Sequence, residues 1–513
     1  MKYIISYDLG TGGTKASLFS EEGQSLASSF VPCNNFYPAS GFHEQKPEEW
    51  WDIVVRSTQG LIAKTDIDLN DIVCLAVSGH SLGVVPIGHD GSLLAEYVPI
   101  WSDSRAGEEA KEMFEKIPEE EWYMTTGNGF PPPLYAVFKL MWYKKHCPEM
   151  FEAAQVFIGT KDYINYKMTG RLCTDYSYAS GSGVYDLKAW KYKPEYIEAS
   201  GIPASKFPEI VPSTEIIGTL TEQAAAELGL PKSVKVACGG VDNACMALGA
   251  GCIHDGMAYT SLGTSAWIAI SSEQPLLDAQ KRPYVFTHCV PGMFASATAI
   301  FAAGNSYKWL RDTICRNFVE AEQNGGIDAY IAMDRLAETS PVGAKALLFN
   351  PSLAGGSSID RSINIRGAFL GLDLGHTQAD LIRATLEGVC LNLRVAMDVL
   401  AKCGHIADDM LIVGGGGKSK FWRGLFADIY NKNIVETNVG QDAGSLGAAA
   451  VAAVGAGLWD SFDKVTEIHK VKSVIQPNPE NNAKYEKILK VFEKTADMQC
   501  DIGDMLAELN NSL

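Results

Sequence analysis

The chain opens on an apolar run from Tyr3 to Gly10, in which Asp8 is the single charged residue. Aliphatic and aromatic residues dominate this run, and such residues favour strands. Glycines follow at positions 10, 12 and 13, and a second apolar run extends from Ala16 to Ser20. Because glycine adopts backbone conformations that other residues avoid, the pattern predicts two strands joined by a tight turn.

The polar groups of this predicted turn suit the oxygens of a phosphate. Backbone amides of a glycine turn point inward, Thr11 and Thr14 add hydroxyl donors, and Lys15 adds a positive charge. Asp8 stands near the end of the first strand, where a carboxylate can hold Mg²⁺ directly or through water. The alternative interpretation is a plain β-hairpin with glycine at its turn.

A second stretch with the same pattern lies about half a chain away. Residues 259–270 read YTSLGTSAWIAI, and the word Leu9-Gly10-Thr11 returns there as Leu262-Gly263-Thr264, between two strand-like runs. Internal similarity at that separation indicates two related domains. We expect each domain to offer one phosphate-binding hairpin to a cleft between them.

Elsewhere, strand-like and helix-like patterns alternate, as in α/β domains with a mixed sheet. Buried strands are predicted at residues 72–77, 234–240 and 410–413, and an amphipathic helix at 380–400, where apolar residues recur at helical spacing. The expected boundary follows Gly251, which gives an N-terminal domain at residues 1–251 and a C-terminal domain at 252–513.

Asp242 follows the predicted strand at 234–240 and precedes a predicted helix. Ligands of open α/β sheets bind at the carboxyl ends of the strands, so Asp242 is a candidate general base for a hydroxyl group. An aspartate at this position is equally expected as the N-cap of the helix that follows it. The pattern alone leaves both interpretations open.

Two loops after predicted strands carry further candidates. The glycine run Gly414–Gly417 leaves room for a flat ligand against the backbone, which suits the adenine or ribose of a nucleotide. The alternative for that run is a loose connecting loop. The loop after residues 72–77 contains His80, for which a hydrogen-bonding contact is favoured over catalysis.

Composition narrows the classes of partner. The formal net charge is −18, from 43 basic and 61 acidic residues, which argues against a nucleic-acid or anionic membrane surface. The longest uncharged stretch, 443–459, is rich in Ala and Gly and predicts a packed core helix rather than a membrane span. The twelve cysteines form no CxxC pair, and they are typical of a reducing compartment. We expect a soluble cytoplasmic protein.

With these motifs in place, the chain resembles the FGGY family of carbohydrate kinases and is most similar to xylulokinases. The family's second signature matches from Gly367 to Glu387, GAFLGLDLGHTQADLIRATLE. The first signature survives in part as Lys139-Leu140-x-Trp142, with Ala136 as a departure. Further matching words are Asp8-Leu-Gly-Thr11, Ile100-Trp-Ser-Asp-Ser-Arg105, Gly240-Val-Asp-Asn243, Ser261-Leu-Gly-Thr-Ser265 and Gly414–Ser419 followed by Phe-Trp-Arg423.

The resemblance implies a two-domain, actin-like (ribonuclease-H-like) α/β sugar kinase fold, with ATP in the interdomain cleft. It implies an N-terminal sugar-binding domain and a C-terminal nucleotide-binding domain. It implies Asp242 as the catalytic base, Mg²⁺ held by Asp8 and Asp242, and sugar contacts from His80, Ser81, Leu82, Asp242 and Asn243. The implied nucleotide contacts are Gly10, Thr11, Gly12, Thr14, Lys15, Gly263, Thr264, Gly304, Trp309, Gly415, Gly416 and Ser419.

Two departures bear on the substrate. Where xylulokinases have Gly-Gln-Met-His-Gly, this chain has Gly79-His80-Ser81-Leu82-Gly83, and the family's Gly-Glu-Arg is missing from the loop after Pro351. Losing a polar sugar contact alters preference strongly. We therefore expect an ATP-dependent kinase of a small sugar, favouring a ketopentose. Three alternatives stay open: ribulose, a deoxysugar or a polyol as the substrate, a catalytically silent sugar sensor as the function, and a homodimer as the assembly.

Overall fold

A computed structural model describes residues 1–512; Leu513, the last residue of the expected second domain, lies outside the described residues. The chain folds into two compact units. The first unit contains Met1–Asp255, Ser271–Ser296 and Asp442–His469, and the second contains Gly256–Ile270, Ala297–Gln441 and Lys470–Leu513. The first unit thus includes two segments from beyond residue 251, and the boundary expected there stays a prediction.

Both units combine strands and helices. The strands are β1 Tyr3–Gly10, β2 Gly13–Ser20, β3 Ser25–Pro32, β4 Glu44–Gln45, β5 Ile72–Gly79, β6 Val85–Gly88, β7 Val98–Pro99, β8 Ala154–Ile158, β9 Cys173–Asp175, β10 Tyr185–Asp186, β11 Lys191–Tyr192, β12 Glu209–Val211, β13 Ile216–Thr219, β14 Lys235–Ala237, β15 Gly240–Val241, β16 Ala258–Leu262, β17 Ala266–Ser272, β18 Tyr284–Thr287, β19 Phe294–Ile300, β20 Leu348–Asn350, β21 Ala368–Leu370, β22 Asp409–Val413, β23 Asn433–Thr437 and β24 Val471–Ile475. The α-helices are α1 Pro47–Ile62, α2 Gly107–Phe114, α3 Glu119–Thr126, α4 Ala136–His146, α5 Pro148–Ala153, α6 Thr160–Thr169, α7 Tyr176–Ala179, α8 Pro194–Ser200, α9 Glu222–Leu228, α10 Asp242–Gly249, α11 Gly304–Thr313, α12 Arg316–Gln323, α13 Ala329–Ala337, α14 Gln378–Ala401, α15 Lys420–Tyr430, α16 Ala443–Ala456, α17 Asp463–Ile468 and α18 Pro479–Ser512.

The main sheet of the first unit is mixed. Its strands follow the order β13-β14-β5-β1-β2-β3, and β15 lies beside β5. β1 pairs antiparallel with β2 and parallel with β5, while β14 is parallel to β5 and antiparallel to β13. Parallel strands of this kind are buried on both faces, which accounts for the continuous apolar runs in β1 and β5.

The second unit repeats this arrangement. Its strands β17-β16-β22-β23-β24 pair in the order antiparallel, parallel, parallel, antiparallel, as do β2-β1-β5-β14-β13 in the first unit. Leu9 lies one residue before the end of β1, and Leu262 is the last residue of β16. The prediction of two related domains from the repeated word Leu-Gly-Thr is confirmed.

The Ala- and Gly-rich stretch predicted as a packed helix forms α16 in the first unit, and its residues 443–453 are buried. Glycine allows its close approach to α10: an added Cβ would lie 1.7 Å from Ala443 O at Gly249 and 1.8 Å from Cys245 O at Gly447. Among the described residues, no helix combines the length and apolar character needed to cross a membrane.

The strand predicted at residues 234–240 is divided. β14 ends at Ala237, and β15 begins at Gly240. Gly239 has a φ of +77°, and a Cβ there would lie 2.1 Å from Val77 O, so the break requires glycine. The break directs the chain from the sheet into α10, the helix that begins with Asp242.

Candidate active site

The β1–β2 turn is the tight hairpin that the glycines predict. Gly10 pairs with Gly13, which leaves Thr11 and Gly12 at the turn. Gly13 has a φ of +147°, and a Cβ there would lie 2.3 Å from Val31 O. Two side chains of the first unit hold the turn: Trp101 Nε1 donates to Thr11 Oγ1 at 2.9 Å, and Gln45 Nε2 donates to Thr11 O at 2.8 Å.

The two other polar side chains predicted for phosphate lie in different surroundings. The Thr14 side chain is fully buried, and its hydroxyl has no hydrogen-bond partner among the described residues. The Lys15 Nζ is partly exposed and donates to the carboxylate of Asp442, just before α16. Lys15 therefore presents a charge at the hairpin, whereas Thr14 lies beneath it.

Asp8 is half-buried near the end of β1. A Cβ added to Gly444, in the first turn of α16, would lie 3.4 Å from Asp8 Oδ2. Burial raises the pKa of the Asp8 carboxyl, and the charge of Lys15 opposes that shift. The glycine at position 444 thus lets the start of a helix approach this carboxylate closely.

Asp242 is the first residue of α10, and Val241 occupies the N-cap position. Asp242 Oδ1 accepts hydrogen bonds from the backbone N–H of Asn243 at 2.8 Å and from Asn243 Nδ2 at 3.1 Å. An N-cap side chain instead bonds the second or third amide from the cap position. Burial raises the pKa of Asp242 to about 7, the Asn243 bond opposes the shift, and the charge of Asp8 adds to it.

The loop proposed to contact the sugar is largely enclosed. His80, Ser81 and Leu82 are 2 %, 8 % and 1 % exposed. Burial lowers the pKa of His80 to about 4, so its ring is neutral near pH 7. Leu82 has a φ of +61°, a conformation that costs energy for a branched side chain. A direct sugar contact from these residues stays a prediction.

Lys139 holds this loop in place. Its Nζ donates to Leu82 O at 3.0 Å and to Ile100 O at 2.7 Å, and the side chain is fully buried. Burial lowers the pKa of Lys139 to about 7, with the charge of Asp103 acting in the opposite direction. The sequence marks this lysine as part of a signature but does not indicate that it joins two loops.

In the second unit, the predicted nucleotide contacts are brought together around the β16–β17 turn. The backbone N–H of Gly304 donates to Gly263 O, and that of Asn305 donates to Thr264 O, both at 3.0 Å. A Cβ on Gly304 would lie 2.3 Å from Gly263 O. The glycine loop Gly414–Gly417 packs closely against the start of the same turn, because a Cβ on Gly416 would lie 2.5 Å from the Leu262 side chain.

The remaining predicted nucleotide residues lie on helices of the same unit. Ser419 caps α15 by accepting from Trp422 N at 3.0 Å, and it donates to Asp334 Oδ2 at 2.6 Å. Trp309 on α11 is 37 % exposed and stacks on Phe349 at a centroid distance of 6.5 Å. Gly415 is exposed at the start of a short 3₁₀ turn. The Ser419 hydroxyl is thus already engaged, while Trp309 and Gly415 are accessible.

Known proteins resemble this chain over almost its whole length. Two family models match: the FGGY carbohydrate kinase N-terminal domain at residues 3–249 and the C-terminal domain at residues 258–456. A curated xylulose kinase of Staphylococcus epidermidis is 30 % identical over 491 residues, which cover 96 % of this chain and 95 % of that protein.

Solved structures agree with the sequence comparison. The xylulose kinase of Rhodospirillum rubrum superposes with a TM-score of 0.88 at 29 % identity, covering 98 % of this chain and 100 % of that one. The gluconate kinase of Lactobacillus acidophilus gives a TM-score of 0.86 at 27 % identity, covering 97 % and 98 %. The chain therefore belongs to the FGGY family of carbohydrate kinases, phosphotransferases that act on sugar hydroxyls.

Proposed function

We propose that this protein transfers the γ-phosphoryl group of ATP to a terminal hydroxyl of a small neutral sugar, a ketopentose in the first place. The observation that carries the proposal is the Asp242 carboxyl, whose pKa is raised to about 7 at the start of α10. A general base is most effective when its pKa lies near the working pH. Relatives named xylulose kinase support the ketopentose class.

In the proposed reaction, ionised Asp242 accepts the proton of the sugar hydroxyl as the oxygen attacks the γ-phosphorus in line. The oxygen–phosphorus bond forms, the bond to the β-phosphate oxygen breaks, and ADP leaves. Asn243 donates two hydrogen bonds to the same carboxylate oxygen, Oδ1. Those bonds fix the orientation of the carboxylate before the sugar arrives.

The first unit offers a fitting pair of ligands for Mg²⁺. Asp8 and Asp242 are half-buried, and the charge of Asp8 raises the pKa of Asp242. One or two carboxylates that need a counter-charge, completed by water and phosphate oxygens, are the usual donors for Mg²⁺. When bound, Mg²⁺ neutralises charge on the phosphate oxygens. Asp8 and Asp242 would hold it, directly or through water.

For the nucleotide, we propose that the two hairpins hold phosphates and that the second unit contacts the base and ribose. The hairpin groups are Gly10, Thr11, Gly12, Lys15, Gly263 and Thr264, with Thr14 buried beneath the first hairpin. The exposed backbone at Gly415, with Gly416 beside it, leaves space for a flat ring. Gly304, the exposed Trp309 and Ser419 complete the proposed set.

A neutral substrate is favoured over gluconate because three buried cations of the first unit are already engaged. Arg105 pairs with Asp103 and Glu44, and Lys161 pairs with Asp162 and Asp175. Lys139 donates to two buried carbonyls. A sugar acid would have to take one of these cations from its partner, at a cost in affinity.

The test is a coupled assay of ADP release with D-xylulose, ribulose, a deoxysugar, pentitols and gluconate. Because Ser81-Leu82 stands where xylulokinases have a Met-His pair, one polar sugar contact is lost, and we expect activity with neutral sugars but no tenfold lead in kcat/KM for D-xylulose. A clear preference for gluconate would contradict the neutral-sugar proposal. Sugar binding with no ADP release from any substrate would instead indicate the silent-sensor alternative.

A further inference from the structure

The short segment that leads into Asp242 pairs with β5 only at Gly240 and Val241, and contacts from outside the sheet also hold it. Cys238 O accepts hydrogen bonds from Asn165 Nδ2 at 2.7 Å and from Lys161 Nζ at 3.2 Å. Gly239 N donates to Ser213 O at 3.0 Å. Val241 N donates to Ser177 Oγ at 2.9 Å. The peptide before Asp242 is thus anchored at Cys238, Gly239 and Val241.

Three of the anchoring residues, Lys161, Ser177 and Ser213, contact the buried carboxylate of Asp175. Asp175 Oδ2 accepts from Ser177 N at 2.9 Å, from Ser177 Oγ at 2.5 Å and from Ser213 Oγ at 2.8 Å. Asp175 Oδ1 lies 3.0 Å from Lys161 Nζ. The side chains of Asp175, Ser177 and Lys161 are all fully buried. Lys161 and Ser177, two of the three side chains that bond residues 238–241, are therefore both tied to Asp175.

The direction of the hydrogen bonds follows from the chemistry of the groups. A serine hydroxyl has one proton to donate, and an ionised carboxylate only accepts. Because Ser177 donates its proton to Asp175, a lone pair of its oxygen is left for the Val241 N–H. Hydrogen bonds to charged groups are stronger than neutral ones, so Asp175 fixes the Ser177 hydroxyl in this orientation.

We propose that Ser177, oriented by Asp175, is a positioning residue for the general base Asp242. Val241 is the N-cap residue of α10, so its anchored amide sets where that helix starts and where the Asp242 carboxylate lies. A carboxylate displaced by about 1 Å can lose catalytic efficiency of order 10²-fold. The inference rests on the proposed function, since it assumes that Asp242 acts as the base.

The test compares Ser177→Ala with Ser180→Ala. Both serines are fully buried, Ser177 within α7 and Ser180 directly after it. Ser180 Oγ donates to Ser177 O and accepts from Thr287 N, and among the described residues it forms no hydrogen bond with residues 238–241. We expect Ser177→Ala to lower kcat at least tenfold, with the Kd for MgATP unchanged within twofold. We expect Ser180→Ala to lower kcat less than twofold. Equal losses in both variants, or more than half the parent kcat in Ser177→Ala, would overturn the proposal.

Two further variants keep the test decisive. If Ser177→Ala does not fold, Ser177→Cys takes its place, because it retains the side-chain volume but its sulfur is a weak acceptor. Ser177→Cys should lower kcat at least threefold. An unchanged kcat in Ser177→Cys would also refute the role. In an Asp242→Asn background, Ser177→Ala should reduce the residual kcat no further. If Asp242→Asn alone stays active, the proposed function fails. If it is inactive but Ser177→Ala behaves like Ser180→Ala, only the positioning role fails.

Discussion

Lys15 of the first hairpin forms an ion pair with Asp442, which lies 427 residues later in the chain. The pair is partly exposed, with 25 % and 41 % of the two side chains accessible. Such pairs contribute little stability, typically below about 1 kcal/mol. The contact therefore restrains the Lys15 ammonium at the hairpin without a strong hold on it.

This ion pair predicts opposite effects of two substitutions on nucleotide binding. Asp442→Asn removes a competitor for the Lys15 charge, so we expect the Kd for MgATP to fall about two- to fivefold. Lys15→Met removes the charge itself and should raise that Kd at least about tenfold, or about 1.4 kcal/mol. Calorimetric titration measures both. Identical affinities in the parent and in Lys15→Met would exclude the lysine from phosphate binding.

The raised pKa of Asp242 predicts the pH dependence of the reaction. A protonated carboxyl cannot accept a proton, so kcat/KM for the sugar should rise about tenfold per pH unit below pH 7 and level off above it, since the pKa is about 7. Initial rates between pH 5 and 9 provide the measurement. A midpoint near pH 4, the ordinary value for aspartate, would contradict the assignment.

The same pKa makes a prediction about stability. The folded protein holds the Asp242 proton up to about pH 7, whereas the unfolded chain releases it near pH 4. Ionisation of Asp242 therefore opposes folding as the pH rises between those values. Without Mg²⁺, Asp242→Asn should melt at a higher temperature than the parent at pH 8 and at about the same temperature at pH 4. A lower Tm at pH 8 would point to a structural role instead.

Replacing Lys139 with an uncharged residue should lower the free energy of unfolding substantially. Lys139→Met removes the Nζ donor of Leu82 O, while Ile100 O keeps the Asp103 N–H at 3.1 Å, and an unsatisfied buried acceptor costs about 1–3 kcal/mol. Chemical denaturation would measure the change. Lys144→Met is the matched control, because Lys144 is an exposed lysine of the same helix that donates to Gly201 O. Its effect should stay within about 0.5 kcal/mol.

A single methyl group added at Gly304 should weaken nucleotide binding. A Cβ there would lie 2.3 Å from Gly263 O, so Gly304→Ala must displace the β16–β17 turn. We expect the Kd for MgATP to rise about tenfold, or about 1.4 kcal/mol. Gly424→Ala is the control: Gly424 lies in α15 with no atom near an added Cβ, so alanine should be neutral or stabilising there. Equal nucleotide affinities in the two variants would remove Gly304 from the site.

The features that can be predicted from the sequence are those set by residues close together along the chain. The repeated Leu-Gly-Thr word identifies two equivalent hairpins, and apolar spacing locates α14 to within a few residues of its ends. The apolar pattern predicts one continuous strand at 234–240, whereas the structure breaks it at Gly239, where the pair Gly239-Gly240 is itself a turn signal.

Contacts between distant parts of the chain were not predictable. The pairing of Lys15 with Asp442 and the approach of Gly444 to Asp8 depend on α16 packing in the first unit, far from the hairpin in sequence. The two carbonyls that bind Lys139 also come from separate loops. Backbone carbonyls carry no sequence signal, since every residue has one.

The most direct test of the account is the turnover of Asp242→Asn. Asparagine keeps the size of the side chain and remains a good residue for a helix start, but it cannot accept the proton. Loss of a general base costs about 10²–10⁴-fold, so kcat should fall at least about 10²-fold. A variant that phosphorylates sugar at more than about a tenth of the parent rate would contradict the role of Asp242 as the base.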